Sequence, residues 1–305
     1  MAECMQQPRK RRAVWRVFWR VLLSVFVLLT VLLLYFILTS LSLTAVNYSV
    51  EADVASPLRI VHLSDLHNAQ FGERNEKLVE MVASQHPDLI VMSGDMLNSD
   101  DEDTEIVTSL ISNLSSLAPV YYGYGNHEKS WERRFGMSLR PVLESAGAIV
   151  VDSDYVDLEV KGTKLRIGGY MGYYHAPHLT TKDKEQQKFE LAFFEDFQNT
   201  DRLKLLINHV PTGWVDWNYV NKYPADIVFS GHYHGGIVRI PILDRGLYAP
   251  YVGWFPPFTE GVYAGTHATC VLSAGLGTER FIPRINNPPE LVVVDLLPCK
   301  PPDVS

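Results

Sequence analysis

Cysteine is scarce in this sequence. Cys4, Cys270 and Cys299 lie so far apart that neither a disulfide framework nor a zinc-finger spacing can be drawn. Cys270 falls in the apolar run Ala268 to Ser273 and reads as a small buried hydrophobe, not as half of a bridge to Cys299. Internal repeats and low-complexity tracts are missing, and 47% hydrophobic with 20% charged residues excludes disordered and collagen-like chains. Positive charge is also thin over most of the length. Arg9, Lys10, Arg11, Arg12, Arg16 and Arg20 crowd the first twenty residues beside Glu3, and setting them aside leaves 21 bases against 34 acids, a body of about −13. Such a body lacks the basic face that a nucleic-acid backbone requires, so no nucleic acid is expected as a partner.

Charge is lacking altogether between Arg20 and Glu51, and Val21 to Leu43 is nearly continuous hydrocarbon. A bilayer-spanning helix needs ~20 apolar residues. A buried core helix of that length would show a polar face, and this stretch has no amphipathic period. The bases all precede it, and Trp15 and Trp19 sit where an interfacial belt belongs, so the positive-inside rule puts the N-terminus in the cytoplasm. The expectation is a single-pass protein of the cell membrane with its acidic domain outside the cytoplasm. A signal peptide shares this layout, but its apolar core runs to only about 7–15 residues; Leu43-Thr44-Ala45 leaves a late cleavage site open.

Beyond the anchor, short runs rich in Val, Ile and Leu alternate with polar turns. They predict strands over Leu58 to Ser64, Asp88 to Ser93, Pro119 to Tyr124, Lys164 to Tyr170, Leu203 to Asn208, Ala225 to Ser230, Ala268 to Ser273 and Glu290 to Leu296. Helical patterning falls over Glu73 to Gln85, Asp103 to Ser116, Ser138 to Gly147 and Glu185 to Asn199. Alternating strands and helices imply a largely parallel sheet in the first half, with the strand-rich second half forming another sheet packed on it.

The strand ends carry the informative residues: Asp65-Leu66-His67, Gly94-Asp95, Gly125-Asn126-His127, Asn208-His209 and Gly231-His232-Tyr233-His234. In open α/β sheets ligands bind at the strand carboxyl ends, so clusters far apart in sequence can converge there. A lone Gly-Asp is a common turn and a lone Gly-His is more often a satisfied histidine than a ligand. Five metal-binding groups at the same structural position are not explained that way. Carboxylate, imidazole and amide oxygen together suit Mn, Fe or Zn better than Ca or Mg.

These motifs, in this order, resemble the calcineurin-like metallophosphoesterases, whose signature runs D-x-H, G-D, G-N-H, a later H and G-H-x-H. The resemblance extends from about Leu58 to Leu296. It implies a four-layered α/β/β/α sandwich, here preceded by one transmembrane helix, and a site of two divalent ions. Asp65, His67 and His234 would hold one ion, Asn126, His209 and His232 the other, and Asp95 would bridge them; His127 would face the substrate. Two divalent ions less two aspartate charges leave about +2, an anion trap in an acidic domain. A hydroxide held between ions about 3.5–4 Å apart is the nucleophile such a site implies, acting in line on the phosphorus. His127 would stabilise the developing charge or protonate the leaving oxygen.

The expected organisation is a basic N-terminus over 1–20, a span over 21–43, a linker over 44–57, the metallophosphoesterase domain over 58–297 and a tail over 298–305. Gly235 to Pro241, Gly246 to Pro250 and Ser273 to Leu291 resemble a bacterial branch of membrane-associated or exported phosphodiesterases. Related members include pyrophosphatases acting on UDP-diacylglucosamine. The expected substrate is a phosphorylated small molecule, lipid or envelope component, cleaved at a phosphodiester, phosphomonoester or pyrophosphate bond. A wall- or ligand-binding module that keeps its metal only for structure is the alternative, and loss of His127 or a gap among the ligands would favour it; nothing is missing. His62 inside the first strand reads as packing, while His86, His175, His178 and His267 lack paired ligand spacing and read as structural or solvated. Gly275-x-Gly277 without a P-loop lysine is no nucleotide fingerprint. Trp214, Trp217, Tyr219, Tyr251 and Trp254 read as core or rim, some of them at a cleft.

Overall fold

The branched aliphatic runs form strands whose successive residues face two different cores, as the two-residue period of a strand dictates. A computed structural model describes residues 7–40, 42–171, 192–241, 243, 245–278 and 283–299. In chain order come α1 (Gln7–Thr39), β1 (Thr44–Ala52), β2 (Leu58–Leu63), α2 (Glu76–Ser84), β3 (Leu89–Met92), α3 (Glu105–Ser115), β4 (Val120–Gly123), α4 (Asn126–Phe135) and α5 (Arg140–Ser145). Next are β5 (Ala148–Val151), β6 (Asp154–Val160), β7 (Thr163–Gly169), a helical run α6 at 192–198, β8 (Leu203–Ile207), α7 (Thr212–Val215) and β9 (Asp226–Ser230). Four two-residue strands, β10 (Arg239–Ile240), β11 (Arg245–Gly246), β12 (Tyr248–Ala249) and β13 (Gly253–Trp254), precede β14 (Gly261–Ala264), β15 (Ala268–Leu272) and β16 (Glu290–Pro298).

Two six-stranded sheets carry the molecule, ordered β1-β16-β2-β3-β4-β5 and β14-β15-β9-β8-β7-β6. β2 to β5 are parallel, as are β7, β8, β9 and β15, so their carboxyl ends point to one rim of each sheet. Ile60, Leu89, Val91, Leu205, Ile227, Phe229 and Val294 fill the core between the sheets. Their strand neighbours Val61, Ile90, Val120 and Val293 turn outward and are covered by Leu78, Val82, Leu110, Leu114 and Leu143 of α2, α3 and α5. On the far face Leu206, Val228 and Cys270 pack under Phe193, Phe197 and Trp214. The layers are therefore helix, sheet, sheet, helix, the expected sandwich. Cys270 is buried and both described cysteines are free.

Several boundaries differ from the expectation. Residues 44–57 are not a plain linker, because Thr44–Ala52 is an edge strand paired in parallel with Glu290–Pro298. Val50 and Ala52 point into the inter-sheet core while Asn47, Ser49 and Glu51 face solvent, a half-buried alternation that an apolar-run criterion passes over. The strand β16 consequently extends through Pro298 into the stretch read as a tail. The apolar helix begins at Gln7, inside the basic segment, and stops at Thr39. Of the helix expected over Glu185 to Asn199, 192–198 is helical and the part before 192 lies outside the described residues, as do His175 and His178.

Candidate metal centre

Each of the five clusters begins within two residues of a strand's carboxyl end, on β2, β3, β4, β8 and β9. The two rims bring them together. Asp65, His67 and His234 have ligand atoms within 4.8 Å of one another; so do Asp95, His209 and His232, and so do His67, Asp95 and His127. Asp95 Oδ2 lies 3.0 Å from His209 Nε2 and 4.0 Å from His67 Nε2, between the first two groups. Asp65 Oδ1 lies 3.6 Å from His234 Nε2 and 3.9 Å from His209 Nε2. Six of these side chains are buried, whereas Asn126 and His127, at the start of α4, are partly exposed.

Tight backbone geometry makes this convergence possible. Asp65, His67, Asp95, His232 and His234 all have φ between 48° and 71°, the left-handed region that L-residues avoid and that concentrates at functional sites. A Cβ on Gly125 would collide with the Asp95 carboxylate, and one on Gly231 with Ser64 Oγ and the Asp65 carboxylate, so both positions admit only glycine. Backbone amides then hold the acids: His232 N donates to both Asp65 oxygens at 3.0 Å, and His127 N donates to Asp95 Oδ1 at 2.7 Å.

The donor set fits a cation. Asn126 Oδ1, both nitrogens of His67, Nε2 of His209 and His232 and Nδ1 of His234 are buried without a hydrogen-bond partner. An orphaned buried polar atom costs about 1–3 kcal/mol, too much to repeat so often unless something else satisfies these atoms. His209 is the clearest case. Its Nδ1 donates to Ser93 O at 2.9 Å, which turns the Nε2 lone pair on Asp95 Oδ2. Two acceptors at 3.0 Å need a positive charge between them, a proton or a metal. Burial opposes the protonated imidazole, yet Asp95 outweighs it and raises His209 to about 9. Asp95 itself, which burial would raise, is held well below the usual carboxylate range by His209, with His127 and His67 adding to the effect. Burial lowers His67 to about 4 and His232 to about 3, so both are neutral at pH 7 with lone pairs available.

Residues without a motif support these. Glu128, wholly buried, accepts from the amides of Asp95, Met96 and Gly125 and from Tyr122 Oη, at 2.7 to 2.9 Å, tying two motif loops to one carboxylate. Burial and then Asp95 raise its pKa. His62, read as packing, does pack on Phe229, and its Nε2 also donates to Ser93 Oγ at 2.8 Å. Ser93 Oγ donates on to Ser64 Oγ, and Ser64 Oγ to Asp65 Oδ2 at 2.6 Å. Gly277 N donates to Asp65 O, and Arg284 pins that loop through Gly277 O and Ala274 O. Gly275-x-Gly277 thus marks a close backbone approach to the site. Asn287 Nδ2 donates to His234 O at 2.7 Å. None of these carries a sequence signal beyond polar type, since their partners are remote in the chain. Trp214 and Tyr219 are core, Tyr251 and Trp254 are exposed, and Tyr251 stacks on His232 at 5.1 Å. His86 and His267 are exposed and belong to no cluster among the described residues.

Comparison with known proteins agrees with this geometry. The family model described as calcineurin-like phosphoesterase matches residues 58–236, which include all five clusters. YkoQ of Bacillus subtilis (strain 168), described as an uncharacterized metallophosphoesterase, is 27% identical over 187 residues, 60% of this chain and 63% of its own length. The chain therefore spans somewhat less than two thirds of that relative. YkuE of the same organism, described in the same words, is 26% identical over 245 residues and 78% of each chain. The phosphodiesterase YaeI of Escherichia coli (strain K12) is 22% identical over 248 residues, 80% of this chain and 84% of its own.

Proposed function

This chain belongs to the calcineurin-like phosphoesterase family, and from that premise we propose that it is a membrane-anchored, metal-dependent phosphoesterase with a dinuclear centre. In this reading Asp65, His67 and His234 would hold one ion, Asn126, His209 and His232 the second, and Asp95 would serve both. The observation that carries it is the place of Asp95, between His67 of one triad and His209 of the other. When bound, two divalent cations lower the pKa of water and offset charge on phosphoryl oxygens.

The protein's own residues do the rest. The backbone amides of His232 and His127 fix the two carboxylates, so little reorganisation is left for the reaction. Ser99 N donates to His127 Nδ1 at 3.1 Å, which assigns the neutral imidazole's proton to Nε2. A neutral Nε2–H would donate a hydrogen bond to the oxygen that leaves phosphorus and stabilise the charge developing there. The substrate proposed is a phosphodiester, phosphomonoester or pyrophosphate of a small molecule, lipid or envelope component; the phosphodiesterase YaeI among the relatives favours the diester. Full-length protein in detergent, loaded with Mn, Fe or Zn, is expected to hydrolyse nitrophenyl phosphodiesters, to stop on chelation and to recover on metal addition. Bound metal without turnover across a panel of diesters, monoesters and pyrophosphates would favour the binding module.

The anchor is proposed from Ala13–Leu38, with mean hydropathy 3.0 and no part of its apolar window buried in the protein. A signal sequence passes the same test, but two contacts favour retention. A cut after Ala45 would fall inside β1, where Ala45 pairs with Leu291, and Ser40 Oγ at the helix end accepts from Asn287 N at 3.2 Å. Protease added to intact spheroplasts is expected to digest the domain while the helix stays with the membrane. Protection would reverse the topology, and soluble protein beginning at Val46 would replace the anchor by a signal peptide.

A further inference from the structure

Beyond α1, every large hydrophobic side chain that is more than half exposed among the described residues lies in one segment: Leu243 57%, Tyr251 70%, Trp254 69% and Phe255 51%. Elsewhere the exposed apolar side chains, such as Leu117, Met137 and Ile149, are scattered singly and less exposed, which is ordinary for a soluble surface. A concentrated patch on one loop marks an interaction site. Tyr251 and Phe255 carry φ of 61° and 54°, values that bulky aromatics adopt at a cost. The pairing of β12 with β13 sets Tyr248 against Trp254 edge to face at 5.5 Å.

The place of this patch identifies what covers it. Asn286 bonds both to the end of α1, through Phe36 O at 3.5 Å, and to Arg239 O at 3.2 Å, from which the β10–β11 ribbon leads directly into the segment. The aromatic loop therefore hangs from the point where the apolar helix meets the domain. Its other side reaches the metal centre, where Tyr251 stacks on His232. Trp and Tyr are the side chains that favour the headgroup region of a bilayer, their apolar bodies buried and polar edges wet. Arg245, exposed in the same segment, suits anionic headgroups.

We propose that Leu243 and residues 245–255 are a membrane-docking surface that seats in the headgroup layer beside the exit of α1, so that the metal centre works at the bilayer surface. This rests on the anchored reading of α1, and the test separates the two. Full-length protein is reconstituted into phosphatidylcholine–phosphatidylglycerol vesicles, with and without brominated acyl chains. The difference in tryptophan emission between the unaltered chain and Trp254→Phe isolates the Trp254 contribution. Brominated lipid is expected to quench most of that contribution and aqueous iodide little of it. A Leu243→Ser/Phe255→Ser double variant should lose the lipid quenching while keeping its metal content and its resistance to carbonate extraction. Trp254 quenched by iodide and untouched by brominated lipid, in protein that resists extraction, overturns the docking surface alone. Protection of Trp254 from both quenchers, with cross-linking of the loop to a second copy, assigns the patch to a protein contact and overturns it too. Release of the chain by carbonate removes the anchor and the docking together.

Discussion

Replacing His127 by alanine is expected to slow turnover roughly 10²–10³-fold, the range for removing one donor to a developing oxyanion, with both metals still bound. Its Nδ1 is engaged by Ser99 N and its backbone N–H holds Asp95, so the side chain contributes a hydrogen-bond donor and the main chain contributes the geometry. Alanine removes the first and keeps the second. The loss should shrink for esters with good leaving groups such as nitrophenol, which depart with little protonation. Kinetics on paired good and poor leaving groups, beside elemental analysis of the same samples, checks this. A His127→Ala enzyme stripped of metal would make the residue a ligand, as its membership of the His67–Asp95 cluster allows. Full activity on poor leaving groups would remove it from the chemistry.

The Asp95→Asn variant is expected to lose more metal than any other single substitution in the centre. The change is isosteric, so Oδ1 can still accept from His127 N and the Glu128 network around the Asp95 amide is undisturbed. What disappears is the negative charge facing both triads, together with the anion that the buried imidazoles need as a counterpart to two cations. His209→Ala, by contrast, removes one donor from one triad. Elemental analysis of the purified variants compares them directly, and Asp95→Asn protein with both metals, beside His209→Ala protein with none, would show that Asp95 does not bridge.

The strands that carry the site are legible in the sequence because each is buried on both faces over most of its length and therefore spelled mainly in apolar residues, LIVM in β3 being the plainest case and LRIVHL in β2 and DIVFS in β9 the same theme with a few polar interruptions. β1 is not legible, since TAVNYSVEA is an edge strand with one wet face and its polar alternation resembles a linker. Helix α4 escapes notice for a related reason. NHEKSWERRF buries only Glu128 and Trp131, so it has no apolar stripe to announce it. In the centre itself, aspartate, histidine and asparagine after strand ends can be picked out by chemical type. Glu128 and the His62–Ser93–Ser64 chain cannot, because a buried carboxylate or hydroxyl gains its meaning from neighbours some 30 residues away in sequence, which only the folded sheet supplies.

The pairing of β1 has a consequence for how far the enzyme can reach. Only residues 40–43 separate the end of α1 from the first paired residue of β1, and four residues extend at most ~14 Å. A linker of fourteen free residues would have let the domain roam several times farther. On the anchored reading the catalytic body is leashed short and cannot sweep the space beyond its membrane. For a lipid substrate, its encounters would then be set by how densely that substrate populates the nearby surface and by lateral diffusion within it, so turnover should follow substrate per unit area and not substrate per unit volume.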